Sequence, residues 1–185
     1  MQLLQTHDFA EFSSRPLSGP GARNTGLALF PRQIGGRYVA LSRADRENNA
    51  VTTSDDLLRW DDPVVVQRPQ HGWELVQLGN CGPPDRDRAR LARAHPRRRR
   101  HAHLRHQRPA ARNGDPTRVV AGLARPLLRA VGEERSGYVP NVVYSCGAMR
   151  HGRSLVLPYG SSDSAARVAV VDLDALLDEL RAAGT

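Results

Sequence analysis

The 185-residue chain contains no lysine, so all 27 of its basic side chains are arginines. Arginine, alanine, glycine and proline share GC-rich codons, and the bias therefore indicates a GC-rich gene rather than selection for guanidinium groups. Cys81 and Cys146 are its two cysteines, and their spacing fits neither a zinc site nor a disulfide framework. We expect both thiols to be free and mostly buried, in a reducing, cytoplasmic location.

We expect neither a signal peptide nor a membrane-spanning segment from this sequence. The first residues, MQLLQTHDFAEF, have neither the basic start nor the apolar stretch of a signal peptide. No apolar run approaches the roughly 18 residues that a membrane-spanning helix needs. We expect no membrane partner, and a chain of this length can bury the core of one domain.

Positive charge is abundant but confined to one segment. Residues 85–112, DRDRARLARAHPRRRRHAHLRHQRPAAR, hold eleven arginines and two aspartates, a net charge of +9. The whole chain carries +8, so the other 157 residues sum to about −1. The body of the protein is not basic, and the net charge therefore does not predict a nucleic-acid partner.

Short apolar runs separated by turn residues make up most of the remaining sequence. Leu173, Leu176, Leu177 and Leu180 follow helical spacing and predict one amphipathic helix near the end of the chain. Evenly spaced strands favour a sandwich, a barrel or a propeller, and periodicity does not choose among these. The predicted strands are residues 26–30, 37–42, 49–53, 63–67, 139–146, two runs that turn at His151 and Gly152, and 166–171.

Five phrases carry a more specific signal: RNTGLALFPRQIGGRYVALSR, SDDLLRW, GNCGPP, GYVPNVVYSCGAMRHG and LPYGSSD. In this order and spacing they resemble glycoside hydrolase family 130, the β-mannoside phosphorylases and related β-mannosidases. The resemblance implies an all-β fold, an incomplete five-bladed β-propeller of about three blades with a short C-terminal helix. It divides the chain into propeller blades at 1–84, an arginine-rich segment at 85–114, and blade and helix at 115–185.

The resemblance also implies site residues. A phosphorylase holds inorganic phosphate beside the anomeric carbon of the sugar, which requires fixed cationic groups. Arg23, Asn24 and Arg43 match positions that face the sugar or the phosphate. Asp163 matches an acidic residue that binds mannose hydroxyls, and Asn80 is placed at a funnel-facing strand end or turn. The implied substrate is a small carbohydrate, with inorganic phosphate as possible co-substrate and no metal or organic cofactor; the oligomeric state stays open.

Two departures from the family pattern affect activity. Gln77 stands where phosphorylase members commonly have a lysine, which favours hydrolysis or a different subfamily. The family's general acid is an aspartate in a DPR-type motif upstream of the region that this chain resembles. We therefore assign the role to no residue and expect a truncated, catalytically deficient member, since cleavage needs an acid to protonate the leaving oxygen.

The arginine-rich segment replaces sequence that the family would have there, since the spacing around it is about normal. Read one base later from Arg90, its codons accommodate WLVLTHGVGAMRTYAISALLL, an alternating, strand-like peptide. We interpret residues 85–112 as frame-shifted and expect them to be disordered or poorly packed, because arginine is rarely buried without a partner. Two alternatives stay open: an arginine-rich nucleic-acid-binding protein, and a carbohydrate-binding remnant without catalysis.

Overall fold

A computed structural model of the chain describes residues 1–70, 91–93, 105–109, 115–117, 119–123 and 125–182. Within these ranges the chain is mostly β, with thirteen short strands and one α-helix. The first sheet is the hairpin of β1 (Gln2–Gln5) and β2 (Ser13–Pro16). None of the helices in the described ranges is long and apolar enough to cross a membrane.

The second sheet carries the first part of the core. Its strands follow one another in antiparallel order: β3 (Ala28–Leu29), β4 (Tyr38–Ser42), β5 (Asn49–Ser54) and β6 (Val64–Gln67). Consecutive strand residues point to opposite faces, and β4 is buried on both. Val39 and Leu41 pack in one apolar layer, and Ala40 packs against Trp60 in the other.

The third sheet lies partly within the arginine-rich segment. It consists of β7 (Leu91–Arg93), β8 (Arg105–Pro109) and β9 (Val119–Gly122), again antiparallel and in chain order. The backbone of β7 and β8 is thus paired. Most of the segment for which we expect disorder, residues 85–114, lies outside the described residues, and that expectation stays a prediction.

The fourth sheet is built around its longest strands. β12 (Ser154–Ser161) pairs on one side with β10 (Val143–Tyr144) and β11 (Met149–His151), and on the other with β13 (Ala165–Asp172). Helix α1 (Leu173–Ala182) follows β13 directly. The side chain of Asp172 caps it by accepting a 2.9 Å hydrogen bond from the main-chain nitrogen of Ala175.

The predicted helix is confirmed in position and orientation. Its leucine stripe packs against Leu123 and Leu155, which joins the helix to the β-sheet core. The predicted strands at 37–42, 49–53, 63–67 and 166–171 lie within one or two residues of β4, β5, β6 and β13.

Two predictions of local structure are wrong, and one element was missed. His151 pairs with Ser154, so the turn is formed by Gly152 and Arg153 and not by His151 and Gly152. The strand expected over 139–146 is only Val143–Tyr144, since Asn141 adopts a left-handed conformation with φ of 61°. The β1–β2 hairpin was not predicted, because β2 is fully exposed and has no apolar alternation.

Candidate functional site

Arg43 directly follows β4 and is buried, with 7% of its surface exposed. Its Nε atom has no hydrogen-bond partner within the described part of the chain. Gly26 makes room for it: a Cβ there would lie 3.1 Å from Arg43 Cδ, and its φ of 96° also favours glycine. The close approach of Arg43 therefore explains why the segment RNTG has a glycine at position 26.

Burial lowers the pKa of the Arg43 guanidinium, while the nearby Asp45 carboxylate acts in the opposite direction. The group is charged at neutral pH all the same, because an arginine titrates far above that range. A buried cationic N–H without an acceptor is costly. Arg43 is accordingly suited to donate a charge-assisted hydrogen bond to an anionic oxygen.

Asn24 fixes the loop that follows Arg43. Its Nδ2 donates to the carbonyl of Ala44, and its Oδ1 accepts a 2.9 Å hydrogen bond from Arg46 Nε. Its φ is 61°, a left-handed conformation that asparagine tolerates better than most residues. Arg23, exposed, stands just before it at the end of the 3-10 turn Pro20–Ala22.

Asp45 is a further member of this group, which the sequence analysis missed. Its carboxylate accepts hydrogen bonds from the main-chain nitrogens of Glu47 and Asn48, at 3.0 and 2.9 Å, and from Asn48 Nδ2 at 2.6 Å. Burial alone would raise the pKa of Asp45, but these hydrogen bonds lower it on balance. The Asp-x-x-Asn spacing after LSR was the available signal. We call Arg23, Asn24, Arg43, Asp45 and Arg46 the Arg43 cluster.

Asp163 lies elsewhere, at the tip of the turn between β12 and β13, where it is exposed with a φ of 52°. Beside it is an open groove of about 470 Å³, whose lining includes Tyr144, Cys146, Tyr159 and Arg167. The Tyr144 ring lies over Gly160 on one face of the sheet, whereas Tyr159 and Arg167 pair with each other at the next position and face the opposite side. A ligand in the groove would therefore meet the Tyr144 ring and the Asp163 carboxylate. The expectation of a mostly buried thiol is wrong for Cys146, which is free and exposed here.

A buried carboxylate supports this groove from behind. Glu134, 9% exposed, accepts a 2.6 Å hydrogen bond from the Tyr159 hydroxyl on Oε1, and Arg167 Nε lies 3.4 Å from the same oxygen. Its Oε2 accepts from the main-chain nitrogen of Val131 at 3.1 Å. The hydrogen bond from Tyr159 lowers the pKa of Glu134. Sequence reasoning missed Glu134, since the pattern GEERSG has no feature that predicts a buried carboxylate.

The structure brings Arg23, Asn24 and Arg43 together at one end of β4. Within the described part of the chain, no hydrogen bond or ion pair joins Asp163 to that cluster. Asn80 and Gln77 lie outside the described residues, as do the side chains of the arginine-rich segment, so their predicted roles stay predictions. No three histidine, cysteine, aspartate or glutamate side chains of the described ranges gather to hold a metal ion.

Both regions lie in the part of the chain that is similar to known proteins. The model of glycoside hydrolase family 130, described as β-1,4-mannooligosaccharide phosphorylase, matches residues 7–182. A 1,2-β-oligomannan phosphorylase of Thermoanaerobacter sp. (strain X514) is 30% identical over 159 residues, 81% of this chain and 51% of the relative. A β-1,2-mannobiose phosphorylase of Listeria innocua is 26% identical over 165 residues, 85% of this chain and 46% of the relative.

Solved structures show the same likeness in the fold. The structure of β-1,2-mannobiose phosphorylase from Listeria innocua with β-1,2-mannobiose matches with a TM-score of 0.86, at 22% identity. The match covers 98% of this chain and 53% of that one. A glycosyl hydrolase from Bacteroides ovatus matches with a TM-score of 0.65 at 23% identity, covering 80% of this chain and 49% of that one.

The chain spans about half the length of the curated relatives it matches. The family match runs from the turn between β1 and β2 to the end of α1 and includes both the Arg43 cluster and the Asp163 groove. The chain belongs to glycoside hydrolase family 130.

Proposed function

We propose that this chain is a portion of a β-mannoside phosphorylase, in which the Arg43 cluster binds inorganic phosphate and the Asp163 groove binds a mannoside. The observation that carries the proposal is the buried Arg43 guanidinium with an unpartnered Nε. A buried cation of this kind needs an anion to complete it. In a family described by phosphorylase activity, that anion is phosphate, and no metal or organic cofactor is required.

The substrate class follows from the groove and the relatives' names. Relatives act as 1,2-β-oligomannan and β-1,2-mannobiose phosphorylases, which supports a β-linked manno-oligosaccharide. The Asp163 carboxylate is exposed at the groove's rim, where it can accept hydrogen bonds from sugar hydroxyls. Tyr144, 42% exposed, offers a ring face against which a pyranose can pack.

The chemistry of phosphorolysis defines what each region does. The bond between the anomeric carbon and the glycosidic oxygen breaks, and a phosphate oxygen bonds to that carbon. The departing oxygen takes up a proton, and the products are mannose 1-phosphate and a shortened saccharide. Arg43 holds the nucleophile and Asp163 holds the sugar; we assign the proton donor to no described residue.

We also propose that the sheets are blades of a β-propeller with five blades in the complete fold. The second sheet is a row of four antiparallel strands, which is the size of a propeller blade. The fourth sheet also has four antiparallel strands, with β10 and β11 both beside β12. The TM-score of 0.86 with a phosphorylase of which this chain covers 53% supports the same arrangement. A blade-like unit presents its loops at one end, and there Arg43 and Asp163 would meet a common ligand.

Calorimetric titration of the full chain with inorganic phosphate and with β-1,2-mannobiose tests the phosphate and sugar assignments. Arg43→Gln is expected to weaken phosphate binding on the order of tenfold or more, because a charge-assisted hydrogen bond is lost. Arg32→Gln, an exposed arginine in the turn after β3, is the matched control and should bind phosphate like the parent chain. Equal phosphate affinity in all three chains would refute the phosphate site.

Asp163→Ala tests the sugar site in the same way, with the exposed Asp62→Ala as control. Mannobiose affinity should fall in the first variant alone. Release of mannose 1-phosphate from mannobiose and phosphate then measures turnover. Saturable mannobiose binding without release of mannose 1-phosphate would favour the carbohydrate-binding remnant over the enzyme.

A further inference from the structure

Strand β13 forms an open edge of the fourth sheet. All eight of its residues, Ala165–Asp172, pair with β12 in one unbroken antiparallel register. Within the described part of the chain, β12 is its sole strand partner. The main-chain groups on the outer side of β13 therefore have no neighbouring strand, and such an edge is a template for pairing with another strand.

The other edges of the described sheets are protected by their length. They have only two to four residues each, and they are formed by β1, β2, β3, β6, β7, β9, β10 and β11. The ladder between β6 and β5 also has a register shift at Asn49 and Ala50. Short edge strands and bulges are common means of preventing edge-to-edge association. β13 has neither protection, since it is eight residues long and contains no bulge and no proline.

The two charged side chains of β13 do not guard its edge. Arg167 turns toward Glu134: its Nε lies 3.4 Å from Glu134 Oε1 and donates to Ser161 Oγ at 3.4 Å. The Asp172 carboxylate caps helix α1. The strand thus carries one charge of each sign, and both are already engaged within the chain. Two copies of this strand can therefore meet without net charge repulsion.

The side chains along this edge are apolar on the face of the sheet that is turned away from helix α1. On that face Val168 and Val170 are 62% and 68% exposed. The register places them opposite Pro158 and Val156 of β12, and Met149 lies on the far side of Val156. Apolar side chains exposed next to one another indicate an interaction surface.

We propose that two copies of this chain associate through β13, which pairs antiparallel with β13 of the second copy about a two-fold axis. An axis perpendicular to the sheet keeps the same face of both copies on one side. In the two registers with the greatest overlap, Val168 then lies opposite Val168 or Val170 of the second copy. Cross-strand pairs of β-branched side chains stabilise antiparallel strands. The pairing uses the long edge of both copies, so association stops at a dimer.

The size of the contact determines how stable the dimer is. Pairing of two eight-residue strands, with their exposed valines, removes roughly 1,000 Å² in total from water, which is the lower limit for a specific interface. We therefore expect a weak dimer whose population depends on protein concentration. This inference does not depend on the proposed phosphate and sugar sites.

Sedimentation velocity of the full chain tests the proposal at concentrations from about 1 to about 200 µM. The average mass should rise with concentration from one chain toward two. Val168→Lys should weaken dimerisation on the order of tenfold or more, because each copy then brings a like charge to the contact. Met149→Lys is the matched control: Met149 is also 62% exposed and on the same face, but it lies on β11, away from the edge. It should dimerise like the parent chain.

Each contrary result has a definite meaning. A parent chain that stays monomeric at the highest concentration would refute the proposal, and growth beyond two copies would refute the two-fold pairing. Loss of the dimer in Met149→Lys but not in Val168→Lys would assign association to the sheet face instead of the edge.

Hydrogen exchange of the parent chain gives a second measurement that needs no variant to fold. Amides of β13 should exchange more slowly as the concentration rises, whereas those of the short edge strand β6 should not change. Unchanged β13 exchange over the concentrations at which the mass doubles would place the contact elsewhere and overturn the proposal.

Discussion

The backbone of Gly19 lies directly against that of Trp60, so that a Cβ at Gly19 would stand 2.1 Å from the Trp60 carbonyl oxygen. Trp60 N donates to Ser18 O at 3.0 Å, and Gly21 N donates to Trp60 O at 3.3 Å. The Trp60 ring, 1% exposed, packs in the same layer as Ala22 and Ala40. This contact places the 3-10 turn that leads to Arg23 and Asn24.

Gly19→Ala should therefore be severely destabilising. Its φ of 87° with ψ of 165° is accessible essentially to glycine only and costs other residues about 1–3 kcal/mol, and the backbone clash adds to this. Urea unfolding followed by circular dichroism measures the loss. Gly35→Ala is the control, since Gly35 has a φ of 60° but nothing within 4 Å of a Cβ. Equal losses in both variants would mean that the contact with Trp60 contributes nothing.

Leu180→Ala tests whether α1 is part of the core. Leu180 is fully buried, in one cluster with Leu123 and Leu155. Removing a buried leucine side chain should lower the free energy of unfolding by about 2–5 kcal/mol. Glu179→Ala, one residue away on the exposed face, should stay within about 0.5 kcal/mol of the parent chain. A much smaller loss of unfolding free energy in Leu180→Ala would indicate that the helix packs loosely.

Asn24 variants separate backbone conformation from side-chain bonding in the Arg43 cluster. Asn24→Gly keeps the left-handed backbone and loses the hydrogen bonds with Ala44 and Arg46. Asn24→Ala loses the same hydrogen bonds and also places a Cβ in the left-handed conformation. Its free energy of unfolding should therefore be about 1 kcal/mol lower than that of Asn24→Gly. Both variants should bind phosphate more weakly in calorimetric titration, since the loop after Arg43 is released. Parent-like phosphate affinity in both would show that this loop does not position the site.

The Tyr159–Glu134 pair predicts a loss of stability at high pH. The pKa of Tyr159 is raised from 10.0 to about 12, so the folded chain keeps a proton that the unfolded chain loses. The pair's contribution is complete below pH 10 and is lost as the pH rises through about 12. Urea midpoints measured across this interval should fall more steeply for the parent chain than for Tyr159→Phe. Parallel curves would contradict the raised pKa.

The same pair predicts a second loss in acid. The hydrogen bond from Tyr159 holds the pKa of Glu134 below its ordinary value of 4.5. A lowered pKa stabilises the folded chain above that value, and the contribution disappears as the pH falls through the lowered pKa. Glu134→Gln should be less stable than the parent chain at neutral pH and should approach it in acid. A constant difference at every pH would argue against an ionised Glu134.

Candidate site residues were named where a segment of sequence resembled the family, and their roles stay predictions. Arg23, Asn24 and Arg43 were identified from RNTG and LSR, and the structure brings all three to one end of β4. Glu134 was not identifiable, since its partners Tyr159 and Arg167 lie 25 and 33 residues further along the chain. Glu134 is buried because two segments pack against each other, and no local sequence pattern predicts that packing.

Elements with a strong apolar period, and the family to which the chain belongs, could be identified from the sequence. The leucine stripe of α1 buries one face of the helix, and the apolar runs of β4 and β5 are buried, so the residue spacing predicts these elements. Which polar groups meet is seen only in the fold: Asn24 bonds to Arg46, and Glu134 bonds to Tyr159. Those pairs form between segments distant in sequence, so only the folded chain brings their hydrogen-bonding atoms within reach of each other.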